Sequence, residues 1–294
     1  MCIVCGWINA IRTWNADLHE NADLVRVRPL PYYLISEMKL AHKIRKLAGP
    51  LTYRRAWRRV RRSLSPLPLE PLRAKIDLKR LREIQQRYTD SSEGFAKYTD
   101  VDRYLRVNRE RVQDLKLHRS TRKRVLDLGC GGGFFLFILK KLGHSVLGLD
   151  VGHIDLYTEL VELFDVPRVL WEIRAFEALP DLGQKFDWIT AFSVTFNLYQ
   201  PSKQSWGSAE WDFLLRDLQR HLAPSGKIFL ELNPPDYHAS ELRDFLVSRG
   251  ATVERERILF EKRLRFPSVS YATFGSKDSE LASVAEADNH ELHG

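Results

Sequence analysis

Cysteine is scarce in this sequence, since Cys2, Cys5 and Cys130 are the only three among 294 residues. Three cysteines at these positions do not form a disulfide framework, so we expect a reducing compartment, the cytoplasm. Cys2 and Cys5 have the Cys-x-x-Cys spacing of zinc sites and redox pairs, but no second pair accompanies them, and we favour chance spacing. The nine histidines do not form a cluster with metal-ligand spacing either. The sequence therefore predicts no metal site.

Long hydrophobic runs are also missing, because no apolar stretch approaches the roughly 20 residues that a membrane span needs. The stretch from Met1 to Trp14 is apolar but short, lacks a basic start, and is soon followed by Asn15, Asp17 and Glu20. We interpret it as an amphipathic helix and not as a signal peptide. At 44% hydrophobic and 29% charged residues, the composition is typical of a soluble globular protein without a transmembrane segment.

The net charge of +8 is spread unevenly along the chain. Residues 1–120 carry 26 lysines and arginines against 13 acids, whereas residues 121–294 carry 20 against 25. The densest basic run is Arg54–Arg62, with the sequence RRAWRRVRR. Such a helix can meet anionic lipid headgroups or RNA phosphates. We favour the simpler interpretation, in which it is a solvated helix whose arginines pair with acids elsewhere.

Proline and charge divide the chain into three predicted regions. Residues 1–71 read as a basic helical extension that ends in a proline-rich linker, Ser63–Pro71. Residues 72–275 read as one domain, with helices over 72–120 and an α/β core over 121–275. The tail, residues 276–294, is polar and acidic, and we expect it to be disordered.

The core is organised around a strand, a glycine turn and a helix. Val125–Leu128 is a short apolar run typical of a buried parallel strand, and Phe134–Leu142 has helical character. Between them, Gly129–Gly133 makes a turn that glycine allows easily and that presents backbone N–H groups to a polar ligand. A second predicted strand ends at Asp150, where an acid can accept hydrogen bonds from the two hydroxyls of a ribose.

The spacing of the glycines separates two ligand classes. The dinucleotide fingerprint G-x-G-x-x-G/A places Phe134 at its third position and therefore fails. The pattern D-x-G-x-G-x-G fits Asp127 and the three glycines at 129, 131 and 133. This resembles the first motif of the class I S-adenosylmethionine (SAM) dependent methyltransferases, and Asp150 matches their ribose-binding acid. The resemblance covers roughly residues 95–265, and the pattern Y-T-D-x-x-x-Y-L-x-x-N-x-x-R from Tyr98 is similar to bacterial members of unassigned substrate.

The resemblance implies an α/β fold, a seven-stranded Rossmann-like sheet that is mostly parallel with an antiparallel last strand, preceded by the helical extension. Further strands are expected at 168–173, 186–192 and 227–232, with a closing antiparallel pair at 252–260 and 268–274. It also implies SAM as cofactor. The usual acid for the adenine falls on Ala175, so Glu177 or the Phe176 ring would substitute for it. The predicted cofactor residues are Asp127, Gly129, Cys130, Gly131, Gly133, Asp150, Val151, Phe176, Glu177 and Phe192.

The acceptor side of the site is less sharply predicted. A helix before the first strand commonly covers the pocket in this family, which makes Tyr98 and Arg109 candidates as well. The loop 193–205 mixes aromatic and neutral polar residues, which favours an uncharged or lightly polar acceptor. The predicted substrate-binding residues are Tyr104, Asn108, Thr195, Phe196, Asn197 and Tyr199.

A catalytic base is not singled out by spacing. His153, Glu231, Asp236 and His238 follow predicted strands closely enough to be candidates. Asn233-Pro234-Pro235 is similar to a motif of amino-methylating enzymes, but it follows the fifth strand and not the fourth, and we take it as coincidence.

The predicted function is methyl transfer from SAM to a small molecule such as a sugar, a lipid or a secondary metabolite. One alternative is an RNA or protein methyltransferase whose basic N-terminal region holds the substrate. Another is a SAM-binding interaction module without catalysis, against which the intact Asp127, glycines and Asp150 argue.

Overall fold

The computed structural model describes residues 50–89, 94, 96–194, 196, 206–233 and 240–266. The chain divides into two compact units, Met1–Ser63 and Leu64–Gly294. Helix α1 (Pro50–Leu64) is the described element of the first unit, and its last residue lies at the boundary. The predicted domain limits at 71 and 275 stay predictions, and the predicted acidic tail lies outside the described residues.

The second unit begins with helices that precede the sheet. These are α2 (Glu70–Arg73), α3 (Leu78–Tyr88) and α4 (Val101–Asp114), with short 3₁₀ turns at Ala96–Thr99 and Leu117–Arg119. Both longer helices start at an aspartate whose side chain accepts hydrogen bonds from backbone N–H groups of the first turn. Asp77 accepts from Lys79 at 2.9 Å, and Asp100 accepts from Arg103 at 3.0 Å.

The sheet has seven strands in the order β3-β2-β1-β4-β5-β7-β6. Its strands are β1 (Arg124–Leu128), β2 (Ser145–Asp150), β3 (Arg168–Leu170), β4 (Phe186–Val194), β5 (Leu222–Leu232), β6 (Thr252–Glu254) and β7 (Arg257–Phe260). The first five run parallel, and β7 pairs antiparallel with both β5 and β6. The predicted seven-stranded α/β fold with an antiparallel last strand is confirmed.

Helices cover both faces of the sheet. They are α5 (Phe134–Lys141), α6 (Asp155–Leu163), α7 (Ser208–His221) and α8 (Ser240–Ser248). Because side chains alternate along a strand, Val125 belongs to the core beneath α5 and α6, whereas Leu126 and Leu128 belong to the core beneath α7 and α8. All six residues from Phe134 to Leu139 are buried, which fixes α5 firmly behind the glycine turn.

Four strand boundaries differ from the sequence prediction, and the smallest difference is in the fourth strand, which ends at Val194 instead of residue 192. The third strand ends at Leu170 instead of residue 173. The fifth strand begins at Leu222, because Leu222 pairs with Phe186 before a register shift that brings Lys227 opposite Trp188. The stretch 252–260, predicted as one strand, contains both β6 and β7, because the chain turns at Arg255, whose φ is 55°. The predicted partner strand 268–274 lies outside the described residues.

Across the described helices, none combines the length and the apolar character needed to cross a membrane. Within the same residues, no group of three or more histidine, cysteine, aspartate or glutamate side chains is placed to hold a metal ion.

Candidate functional site

The glycine turn after β1 depends on backbone conformations that other residues adopt with strain. Gly129, Gly131 and Gly133 have φ values of 64°, 54° and 74°. At Gly129 there is also no room, since a Cβ atom would lie 2.5 Å from Cγ2 of Val194. At Gly131 a Cβ atom would meet nothing closer than the Tyr157 ring at 3.8 Å. The turn is therefore packed against β4 on one side and open at Gly131.

Asp150 ties this turn to the end of β2. Its carboxylate accepts a hydrogen bond from the Gly131 backbone N–H and a second, at 2.7 Å, from the N–H of Val151. The residue is 8% exposed, and burial raises the pKa of its carboxyl above the usual value. Each carboxylate oxygen has a second lone pair, so the group retains acceptor capacity for the hydroxyls of a ligand.

Asp127 is the second buried carboxyl of the site, at 3% exposure near the end of β1. The Thr190 hydroxyl, on the neighbouring strand β4, donates to its Oδ1 at 2.6 Å. Burial raises the pKa of Asp127 to about 7, although the Thr190 hydrogen bond and the charge of Arg111 act in the opposite direction. Burial therefore favours the protonated form of this carboxyl in the free protein.

Helix α4 supplies a polar wall opposite the turn. The buried Asn108 donates from Nδ2 to the Tyr104 carbonyl at 2.9 Å, and its Oδ1 accepts from Arg111 Nη1 at 3.1 Å. Arg111 also donates to Glu231 at 3.1 Å, and its guanidinium lies 4.4 Å from the centre of the Phe192 ring. Arg111 is the last residue of the pattern that starts at Tyr98, but it was not among the predicted pocket residues.

Aromatic rings form a cluster around the N-terminus of α5. Tyr98 lies 4.5 Å from Tyr104 and 5.2 Å from Tyr157, measured between ring centres. Tyr104 in turn lies 5.5 Å from Phe134. Such pairs stabilise each other beyond the burial of their surface, so the cluster forms one continuous aromatic wall.

These groups surround a cavity of about 590 Å³ at the carboxyl ends of β1, β2 and β4. That volume is in the range of small-molecule sites, and the position is where open α/β sheets bind ligands. Among the predicted residues, the cavity lining includes Asp127, Gly129, Cys130, Gly131, Asp150, Val151, Phe192, Tyr104, Asn108, Phe196 and His153.

Other predicted residues lie elsewhere. Gly133 begins α5 beneath the lining, and Phe176 is 56% exposed with its ring 5.9 Å from Phe213. Glu177 and Arg109 do not line the cavity. Glu231 does not line the cavity either, and its carboxylate is held by Arg111 and by Arg257, whose Nε is 3.5 Å from Oε2. The remaining predicted residues lie outside the described ones, namely Thr195, Asn197, Tyr199, Asp236 and His238.

The segment after β3 enters the cavity in place of the predicted adenine residues. Trp171, Glu172 and Ile173 line it, and the Trp171 backbone N–H donates to the Asp150 carbonyl at 2.9 Å. The Trp171 indole N–H is buried without a hydrogen-bond partner among the described residues. The sequence predicts residues 171–173 as part of the third strand and therefore places the adenine contacts beyond it, at Phe176 and Glu177.

Comparison with known families identifies the chain. The family described as "Methyltransferase domain" matches residues 99–263, which is more than half of the sequence. The chain belongs to this methyltransferase family. SAM is its cofactor, and the predicted resemblance to class I SAM-dependent methyltransferases is confirmed.

Curated relatives of this methyltransferase act on different substrates. A tRNA U34 carboxymethyltransferase from Campylobacter hominis is 32% identical over 37% of this chain and 35% of its own length. A ubiquinone biosynthesis O-methyltransferase from Pseudomonas fluorescens is 27% identical over 55% of this chain and 65% of its own. The chain thus spans between about a third and two thirds of these relatives. The SAM-bound structure of CalS10, an amino pentose methyltransferase from Micromonospora echinaspora, is 22% identical over 52% of this chain and 56% of its own, with a TM-score of 0.35.

The cavity of this methyltransferase is chemically suited to SAM. The two buried carboxyls, Asp127 and Asp150, match the positive charge and the ribose hydroxyls of that molecule, and the open side of Gly131 lets a ligand approach the backbone. The lining also supplies apolar and aromatic surface for a nucleoside base, with the indole N–H of Trp171 as an unused donor.

Proposed function

We propose that this enzyme transfers the methyl group of SAM to a small-molecule acceptor. The observation that carries the proposal is the cavity of about 590 Å³, whose wall of Tyr98, Tyr104 and Tyr157 stands beside the glycine turn. A pocket of this size and lining suits a compact, partly apolar acceptor better than a polymer strand. SAM supplies a methyl group already activated by its sulfonium, so the protein needs mainly to align the acceptor with it.

We assign the cofactor to the side of the cavity formed by β1 and β2. Asp150 would accept the ribose hydroxyls, and Asp127 would face the ammonium group of the methionine portion. Arg111, held by Asn108 and Glu231, would attract the carboxylate of the same portion.

For the adenine we favour the segment Trp171–Ile173 over Phe176 and Glu177, because the segment lines the cavity and the other two residues do not. The adenine would stack on apolar side chains there, as nucleoside bases commonly do.

We place the acceptor against α4 and the aromatic cluster. Tyr104, Asn108 and Phe196 lie in the lining, and His153 is the predicted proton acceptor that lies there too. Glu231 is a poorer candidate for a base, because its carboxylate is engaged by two arginines. An oxygen acceptor would need such a base, whereas an amine in its neutral form would not.

A second candidate function is RNA methylation. The similarity to a tRNA carboxymethyltransferase supports it, as does the basic first unit with its run Arg54–Arg62. We rank it second because the volume of the cavity is that of a small-molecule site and one of its walls is aromatic. We retain the cytoplasm as the proposed compartment, since Cys130, the cysteine that the structure describes, is a free thiol.

The test supplies SAM labelled in its methyl group to the full chain, together with three separate acceptor pools: small metabolites, transfer RNA, and proteins. Label in a small metabolite supports the proposal. Label in RNA or protein alone contradicts it and favours the corresponding alternative. SAM binding without label in any pool favours a non-catalytic module.

A further inference from the structure

Helix α1 carries an exposed apolar stripe. Tyr53, Trp57, Val60 and Leu64 are 71%, 54%, 47% and 71% exposed. They are spaced four, three and four residues apart, which places them on one narrow face of a helix. Four large apolar side chains aligned in this way are not the scattered exposed residues that every surface has, because they form one continuous strip.

Arginines occupy the rest of the same helix. Arg54, Arg58, Arg59, Arg61 and Arg62 fall between the stripe positions or on the opposite face, and no acid occurs between Pro50 and Leu64. Arginine keeps its charge at every accessible pH, and its long stem reaches outward past apolar surface. The helix is thus strongly amphipathic, with one apolar side and one cationic side.

We propose that α1 is an interfacial anchor that binds the surface of an anionic phospholipid membrane. Its stripe would enter the boundary between headgroups and acyl chains, and its arginines would contact lipid phosphates at the level of the headgroups. Tyr53 and Trp57 are the side chains that prefer this boundary, since their rings are apolar and each carries a polar tip. This inference concerns where the enzyme works and goes beyond the methyl transfer proposed above.

Charge complementarity and the stripe together favour lipid over other occupants. The phosphates of an RNA strand would contact the arginines, but RNA offers no apolar surface to match a stripe that includes Val60 and Leu64. A second copy of the same helix would bring arginine against arginine, which like-charge repulsion disfavours. An anionic membrane matches both sides of the helix at once.

The experiment measures co-sedimentation of the full chain with vesicles of phosphatidylcholine, with and without phosphatidylglycerol. We expect association only with the vesicles that contain phosphatidylglycerol, and we expect it to weaken as salt is raised. The variant Trp57→Ser/Val60→Ser should bind at least about tenfold more weakly because it loses the apolar contribution. Arg54→Gln/Arg59→Gln should lose affinity and part of the salt dependence, because it removes two of the six arginines of the run 54–62.

Two matched controls test whether position matters. Val247→Ser removes a valine on α8 that is 49% exposed, close to the 47% of Val60, and Arg243→Gln removes an exposed charge on the same helix. Both should bind vesicles as the unmodified chain does, and circular dichroism of every variant confirms that it is folded.

The proposal is overturned if the unmodified chain does not associate with anionic vesicles, or if the stripe variant associates as strongly as the controls. Binding to transfer RNA without binding to vesicles, or stripe-dependent self-association in light scattering without binding to vesicles, would overturn it in favour of RNA or of a second copy.

Discussion

Gly131 keeps one side of the cavity open because it has no side chain. Its neighbours leave space for a Cβ atom, so a larger side chain there would extend toward the cavity and not into the core. We expect Gly131→Leu to abolish measurable SAM binding, at a cost in stability of roughly 1–3 kcal/mol from the left-handed backbone. Calorimetric titration and thermal unfolding measure the two effects.

Gly183→Leu is the matched control, because Gly183 has a similar φ of 65° and nothing within 4 Å of a built Cβ, yet it lies away from the cavity. This variant should lose stability through the same backbone strain and keep its SAM affinity. Equal loss of SAM affinity in both variants would mean that Gly131 acts through folding and not through the site.

Asp127 links stability to pH in a definite direction. Its pKa in the free folded protein is about 7, far above the value of about 4 in an unfolded chain, so the folded state binds the proton more tightly. The contribution of this group is therefore fully present below about pH 4 and is lost as pH rises toward 7. Asp127→Asn imitates the protonated form without titrating.

We therefore expect the Asn variant to gain stability relative to the unmodified chain as pH rises from about 4 to about 7, on the order of 1.4 kcal/mol per unit of pKa difference at most. Above that window the difference should be constant. Denaturant unfolding at a series of pH values, without cofactor, measures it. A stability difference that is independent of pH would show that Asp127 ionises normally.

Helix α4 forms one wall of the cavity that SAM and the acceptor would share, because Tyr104, Asn108 and Arg111 all line it. Asp100 caps its first turn, and replacing a capping aspartate with alanine costs about 1 kcal/mol. We expect Asp100→Ala to lower stability by this amount and also to weaken SAM binding, because the start of α4 would fray beside Tyr104.

The cap of α3 provides the control for that experiment. Asp77→Ala removes the corresponding hydrogen bonds to Lys79 and Arg80, but α3 does not line the cavity. It should lose similar stability and keep its SAM affinity. If both variants retained full SAM affinity, α4 would have no role in shaping the cofactor site.

Elements with strong local signals could be predicted from the sequence. Strand β1 contains the predicted apolar run Val125–Leu128, and β2 ends at Asp150 as predicted, because an apolar run that is closed by a glycine or an acid leaves little freedom in where the strand ends. The turn and α5 could also be predicted, because the glycines favour a left-handed backbone and the helix is apolar on every side.

Features that depend on distant partners could not be predicted. The contact of Arg111 with Glu231 joins residues 120 positions apart, and no local sequence pattern predicts it. The early end of β3 and the turn at Arg255 are set by pairing with β2 and β7 and not by the propensities of their own residues. The apolar stripe of α1 was present in the spacing, but its exposure is a property of the folded chain.

At the scale of the whole molecule, the charge asymmetry coincides with the division into two units. Residues 1–63 carry 13 lysines and arginines against 4 acids, whereas residues 64–294, which contain the sheet and the cavity, carry 33 against 34. We therefore expect attraction to an anionic surface to depend on the first unit and methyl transfer to depend on the second. Variants of α1 should leave SAM binding unchanged.

The central claim is that the cavity at the carboxyl ends of β1 and β2 binds SAM through Asp150 and the glycine turn. Calorimetric titration of the full chain with SAM tests it most directly, together with the variants Asp150→Ala and, as an exposed aspartate on α8, Asp244→Ala. The account predicts one SAM per chain, an affinity about 10- to 150-fold lower in Asp150→Ala through the loss of about 1.5–3 kcal/mol of charge-assisted hydrogen bonds, and no change in Asp244→Ala. An unmodified chain that does not bind SAM, or an Asp150→Ala variant that binds it equally well, would contradict the account.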